Sequence, residues 1–264
     1  MTYKVLIQTL LDRWKSISLL SVLFFVFMAY STTVYPETAK LTNANDVLDS
    51  PAIQMILGKI HFDNSFESYV SLKALGFAGL ITGGFTAWLA ASFLSGEIDH
   101  RTIELLLAQP LRRGRLVVAR YTALGVIALL LMLAVLAGIV AGIAAMSIET
   151  SIPWLAYALA YMWVFTLAFG GISLFISALS SDGRRAALTS LGVLVIMYFM
   201  ETIGSVVDLL GPIRYLSLFH YARYNEMLMT KTMSLVDLGV LLSVAVVFVA
   251  LAAYVFRGRD INVG

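Results

Sequence analysis

Six stretches of the chain run almost free of Asp, Glu, Lys and Arg. Ser16 to Pro36 gives 21 residues, Ala74 to Gly96 gives 23, Tyr121 to Ile148 gives 28, Thr150 to Ser181 gives 32, and Leu238 to Phe256 gives 19. A sixth, Ala186 to Val207, is interrupted only by Glu201. A helix needs about 20 apolar residues to cross a bilayer core. These runs are continuously apolar rather than alternating, so they predict helices and not strands. The predicted spans are about 16–36, 74–96, 121–147, 153–180, 186–207 and 236–256, in one transmembrane domain over residues 1–264. The third and fourth are separated only by Met146 to Pro153, a tight hairpin. The first run is too long for the 7–15-residue core of a signal peptide.

Between the spans the pattern changes. In residues 2–15, Tyr3, Leu6, Ile7, Leu10, Leu11 and Trp14 share one helical face, and Lys4, Gln8, Asp12 and Lys15 share the other. This predicts an interfacial helix lying on the membrane before the chain turns inward, because Asp12 and Arg13 would otherwise be buried. Asp49-Ser50-Pro51 starts a short helix with Ile53, Ile56, Leu57 and Ile60 at helical spacing. Residues 97–110 combine charges with Ile103, Leu105, Leu106 and Leu107, and Pro110 ends that helix. After the fifth span, Gly211-Pro212 breaks the helix, and Tyr215, Phe219, Tyr221 and Tyr224 make an aromatic stretch suited to an interface.

Composition turns six runs into a class. Of the 264 residues 60% are apolar and only 13% are charged, with a mean hydropathy of +0.88. Soluble domains carry about 25% charged residues. A water-soluble domain and a disordered chain are both excluded, leaving an all-α polytopic membrane protein. Cys is absent, so there is no disulfide framework or thiolate site. A net charge of +2 points to no nucleic-acid partner.

Charge also orients the bundle. Six spans place both termini on one side. With that side cytoplasmic, the inner segments hold twelve Lys and Arg and the outer ones six. Positive residues concentrate inside, so the expected topology has both termini in the cytoplasm. The expected location is the plasma membrane, where lipid is the surrounding partner.

Signals of enzyme chemistry fail one by one. His61, His100 and His220 lie in three different loops, with no metal-binding spacing. Gly58-Lys59 carries the Gly-Lys pair of a phosphate loop, but Ile53 and Ile60 stand where that loop needs Gly and Ser or Thr. Glu201, the one acid within a span, lies about 22 Å along its helix from Ala186 and so in the outer leaflet. It is either a functional carboxylate, or water-exposed, or paired with Arg214. Gly79/Gly83 and Gly138/Gly142 have the spacing that lets helices approach closely, and read as packing.

The run GEIDHRTIELLLAQPLRRGRLVVAR resembles the coupling region of type-2 ABC transporter permeases, the export-type membrane subunits. Glu97, Thr102, Ile103, Glu104, Leu106, Leu107, Pro110, Leu111, Arg113 and Arg120 occupy the matching positions, and Arg101 stands where Gly is usual. The ending FRGRDINVG and the stretch from Arg214 to Tyr221 are similar to that family too. The resemblance implies a permease that forms half of a translocation path and is not itself an enzyme. It implies a separate ABC ATPase subunit, holding ATP and Mg, and a second permease copy or homologue. This chain would need no cofactor, catalytic residue or metal of its own. Ile103, Leu106 and Leu107 would fill a groove on the ATPase. Glu97, Asp99 and Glu104, with Arg101, Arg112, Arg113 and Arg115, would set its register. Facing the dimer axis, Thr82, Thr86, Tyr198, Glu201 and Thr202 would line the path. The alternative is a membrane anchor that transmits ATPase motion without moving a substrate.

Overall fold

A computed structural model describes residues 2–38, 65–99 and 113–258. The elements in chain order are α1 (Thr2–Thr38), α2 (Phe66–Tyr69), a π turn (Val70–Leu75), α3 (Gly76–Asp99), α4 (Arg113–Met146), α5 (Ile152–Leu179) and α6 (Gly183–Val206). They continue with a 3-10 helix (Asp208–Leu216), α7 (Leu218–Tyr221), α8 (Tyr224–Thr230) and α9 (Leu235–Gly258). No strand occurs among the described residues. Six helices, α1, α3, α4, α5, α6 and α9, are long and apolar enough to cross a membrane. Each covers all or most of one of the six predicted apolar runs. The short helix expected after Asp49 lies outside the described residues.

α5 is the centre of the bundle. It packs against α3, α4, α6 and α9, and its Phe165 and Phe169 are fully buried. By contrast α1, α6 and α9 leave most of their apolar side chains outward. Leu19, Leu188 and Val246 are all exposed, as expected of a bundle whose solvent is lipid.

Helices in lipid gain nothing from hydrophobic burial between them, so close contact depends on small residues. Gly138 and Gly142 of α4 turn bare backbone toward α1. A Cβ at Gly142 would overlap Thr32, and one at Gly138 would stand 3.0 Å from Met28 Cβ. That glycine pair is a helix crossing, as its spacing predicts.

The N-terminal segment differs from expectation. Residues 2–15 are not a separate interfacial helix; they continue without a break into the first span as one 37-residue helix. Such a helix is about 55 Å long against a core of about 30 Å. Its first turns therefore stand beyond the hydrocarbon, where Asp12 and Trp14 are exposed. Arg13 needs no surface position, because partners within the bundle receive it.

At the opposite end, α2 docks on α1. Tyr69 donates to the Ser31 carbonyl at 2.8 Å, and Tyr35 meets Phe66 edge-on at 5.2 Å. The π turn then joins α2 to α3 without ending the helical path. Hereafter the end holding both chain termini is the terminal end, and the other the distal end.

Candidate functional site

The terminal end of α3 leads directly into the segment that resembles a coupling helix. Glu97 and Asp99 form the last turn of α3, so the span helix runs past the boundary at 97 that the sequence suggested. Arg101, Thr102, Ile103, Glu104, Leu106, Leu107, Pro110 and Arg112 lie outside the described residues. Arg113 and Arg115 open α4, with Arg115 exposed.

What holds α3 at this end is specific. The Ser177 hydroxyl of α5 accepts from the Ser95 N–H at 3.0 Å and donates to the Ala91 carbonyl at 3.0 Å. It thus grips two backbone groups one turn apart on α3. The Ser95 hydroxyl donates to the same Ala91 carbonyl at 2.7 Å. At the next residue of α3, a Cβ at Gly183 would lie 2.9 Å from Gly96 Cα. The start of α6 and the end of α3 therefore meet backbone to backbone, with no side chain between to yield.

Two arginines tie α1 and α4 into the same place. Arg13 donates to Ser92 Oγ at 3.1 Å, with its guanidinium 5.2 Å from the Trp88 ring. Buried Arg120 donates to Thr9 Oγ1 at 2.6 Å and lies 5.4 Å from the Phe93 ring. Both rings are within cation–π range. All four receiving side chains sit on α1 or α3, so a displacement of the end of α3 reaches α1, α4, α5 and α6 through direct contacts. Asp182 starts α6, accepting from the Arg184 and Arg185 amides. Those two backbone donors, Arg185's first, hold its carboxyl below the ordinary carboxylate range.

The residues proposed for the path lie on α3 (Thr82 and Thr86) and α6 (Tyr198 and Thr202), which pack on each other, but Thr86 turns its methyl toward Gly170 of α5. Thr82 donates to the Ala78 carbonyl, Thr86 to the Thr82 carbonyl and Thr202 to the Tyr198 carbonyl, each at 2.6 Å. Every one of these hydroxyls is satisfied by its own helix, and all three threonines are buried. Tyr198 is half-buried and edge-on to Phe219 at 5.5 Å.

Glu201 is separate from those hydroxyls and faces the distal cap, the segment 208–221. Arg214 donates to its Oε1 through Nε at 3.1 Å and Nη2 at 2.5 Å. That hydrogen bond raises the Arg214 guanidinium above its already high ordinary range. Gly204 makes room, since a Cβ there would press on Arg214 Cγ. On the other oxygen, His220 Nδ1 stands 3.3 Å away. The sequence had suggested Arg214 as a partner. His220 was missed, because 19 positions and a 3-10 helix separate it from Glu201. The fully buried Tyr224 hydroxyl sits against Gly79, so that glycine seats α8 rather than another span. Burial drives the Tyr224 phenol well above its ordinary range.

Among the described residues no three of His, Asp and Glu converge to hold a metal ion. A family model described as ABC-2 family transporter protein matches residues 8–261. A search of curated proteins finds no match to the chain.

Proposed function

The chain belongs to the ABC-2 transporter family and is a multi-pass membrane permease component of an ABC transporter; from that membership we propose that it forms half of an export path driven by a separate ATPase. The terminal end faces the cytoplasm, where the arginines concentrate. There the segment 97–110 docks on the ATPase through Ile103, Leu106 and Leu107, with Glu97, Asp99, Glu104, Arg101, Arg112, Arg113 and Arg115 at the rim. Rim charges of this kind set orientation more than affinity. ATP and Mg belong to the partner. A second permease, identical or homologous, completes the path along α3 and α6, which carry Thr82, Thr86, Tyr198 and Thr202.

One observation carries this reading. The clamp of Ser177 on Ser95 and Ala91, with the Gly96–Gly183 approach, lies immediately before the proposed docking segment. A load applied to that segment enters α5 and α6 within one helical turn. Substituting both Leu106→Asp and Leu107→Asp tests the proposal. The doubly substituted permease should insert normally and lose co-purification with its ATPase. Retained association would remove the coupling role.

A further inference from the structure

A groove of about 670 Å³ lies between the terminal ends of α5 and α9. Ala178 and Leu179 form one wall, and Tyr254, Val255, Arg257 and Gly258 form the other. Its volume falls in the range of sites that take small molecules, about 300–1,000 Å³. Its depth in the membrane follows from the length of α9. That helix has 24 residues, about 36 Å at 1.5 Å per residue, against a hydrocarbon core of about 30 Å. The last turn, with Arg257, therefore stands at the level of the lipid headgroups. Tyr254, 78% exposed, stands one turn deeper, at the edge of the hydrocarbon where tyrosine rings collect. Val247 and Leu251 precede it on the same helical face and are exposed too. An apolar track thus runs from the groove toward the middle of the membrane.

The charge at the mouth of the groove is positive. Among the described residues no carboxylate pairs with Arg257. Asp182, in the turn that follows α5, is engaged by Arg185 and by two backbone amides. The carbonyl ends of α5 and α9 carry partial negative charge that opposes an anion here. The contact therefore falls to the guanidinium, a full charge on a side chain long enough to reach past the helix ends.

We propose that this groove is a site for an anionic phospholipid, with its phosphate on Arg257, its glycerol region beside Tyr254 and one acyl chain across Leu179 and along α9. A guanidinium meets a phosphate through two parallel N–H donors. A basic pocket between membrane helices at headgroup level is a setting that holds anionic headgroups. An acyl chain alone gains nothing by leaving bulk lipid for the groove, so the headgroup supplies the preference. Ala178 and Leu179 directly follow Ser177, which clamps α3. The bound lipid braces α5 against α9 beside that clamp, whichever side faces the cytoplasm.

The full chain in mixed micelles holding equal amounts of phosphatidylglycerol and phosphatidylcholine tests the site, with retained lipid counted by native mass spectrometry. The chain should retain phosphatidylglycerol in preference to phosphatidylcholine. Arg257→Gln should lower that retention about fivefold, the worth of one arginine near the membrane surface. Leu179→Trp fills the apolar wall without changing a charge and should lower it as well. Arg184→Gln combined with Arg185→Gln removes two arginines of the same end that do not line the groove, and should leave it unchanged. All four positions are exposed, so the variants should fold. Equal retention of the two lipids would overturn the site. So would a loss in the double variant as large as in Arg257→Gln, which marks a general basic surface. Undiminished retention in Leu179→Trp would reduce the contact to a headgroup without a chain and overturn it too. Removing residues 259–264 should leave the lipid bound. Retention that begins only after that removal would give the groove to the chain's own tail and overturn the proposal.

Discussion

At the terminal end, the acceptors on α3 are neutral: a serine hydroxyl grips two backbone groups, one glycine backbone meets another, and two arginines meet a serine and two aromatic rings. At the distal end, the cap is held by charges, with Glu201 between Arg214 and His220. Hydroxyl-to-backbone contacts inside an apolar bundle depend little on salt or pH and allow little play. Ion pairs are longer in reach and respond to protonation.

The contrast can be broken most severely at Gly183. Gly183→Val would drive a side chain into the Gly96 backbone, which has no rotamer to change. Overpacking of this kind costs about 1–3 kcal/mol. A drop in thermal midpoint in detergent, together with lost transport despite retained ATPase binding, is the expected result. Next comes Glu201→Ala, which leaves the Arg214 guanidinium unpaired. Breaking a fully buried pair costs about 3–5 kcal/mol. Here the two side chains keep 32% and 21% of their exposure, so about 1–3 kcal/mol is expected, confined to the cap and measurable by hydrogen exchange of residues 208–221.

Ser177→Ala sharpens the comparison at the terminal end. It removes two hydrogen bonds, each worth about 1 kcal/mol net, while the α3 backbone regains part of that loss within its own helix. Stability should fall by about 1 kcal/mol, and ATP turnover should become less tightly tied to transport. An unchanged ratio of transport to turnover would show that the clamp carries no load. The smallest effect is at Asp182. Its carboxyl is held low by the Arg185 and Arg184 amides, so its contribution to the start of α6 is present above the ordinary carboxylate range. It is lost as pH falls through the lowered value. Faster amide exchange at Arg184 and Arg185 in acid, absent in Asp182→Asn, is the expected signature.

The spans were legible because lipid demands long apolar runs, and each run became a helix. The tight 146–153 hairpin was equally legible, and Ser147 makes its turn in the left-handed conformation at φ 52°. The N-terminal segment was misread for a physical reason. Amphipathic periodicity together with Asp12 and Arg13 argues for a surface helix, but nothing in a local pattern reveals that Ser92 and Trp88, some 80 positions away, receive Arg13. The serine clamp was invisible for the same reason: Ser92, Ser95 and Ser177 are small residues within apolar runs and break no periodicity. At the distal end, Glu201 was marked as exceptional and Arg214 was offered as its partner. The geometry of the cap was needed to add His220. Gly79 and Gly83 read as packing, and they seat Tyr224 of α8 and Leu194 of α6.

The π turn at Val70–Leu75 sets how the two halves of its helix are aimed. Each residue of an α-helix advances the face by about 100°, and one extra residue in a wide turn changes the aim of all that follows. Phe66 and Tyr69 point at α1 on one side of the turn, while Gly79 points at Tyr224 on the other. Deleting a single residue between 70 and 75 would restore a regular helix and swing α2 by about 100° relative to α3. It would undock α2 from Tyr35 and Ser31, so this stretch tolerates a change of side chain far better than a change of length.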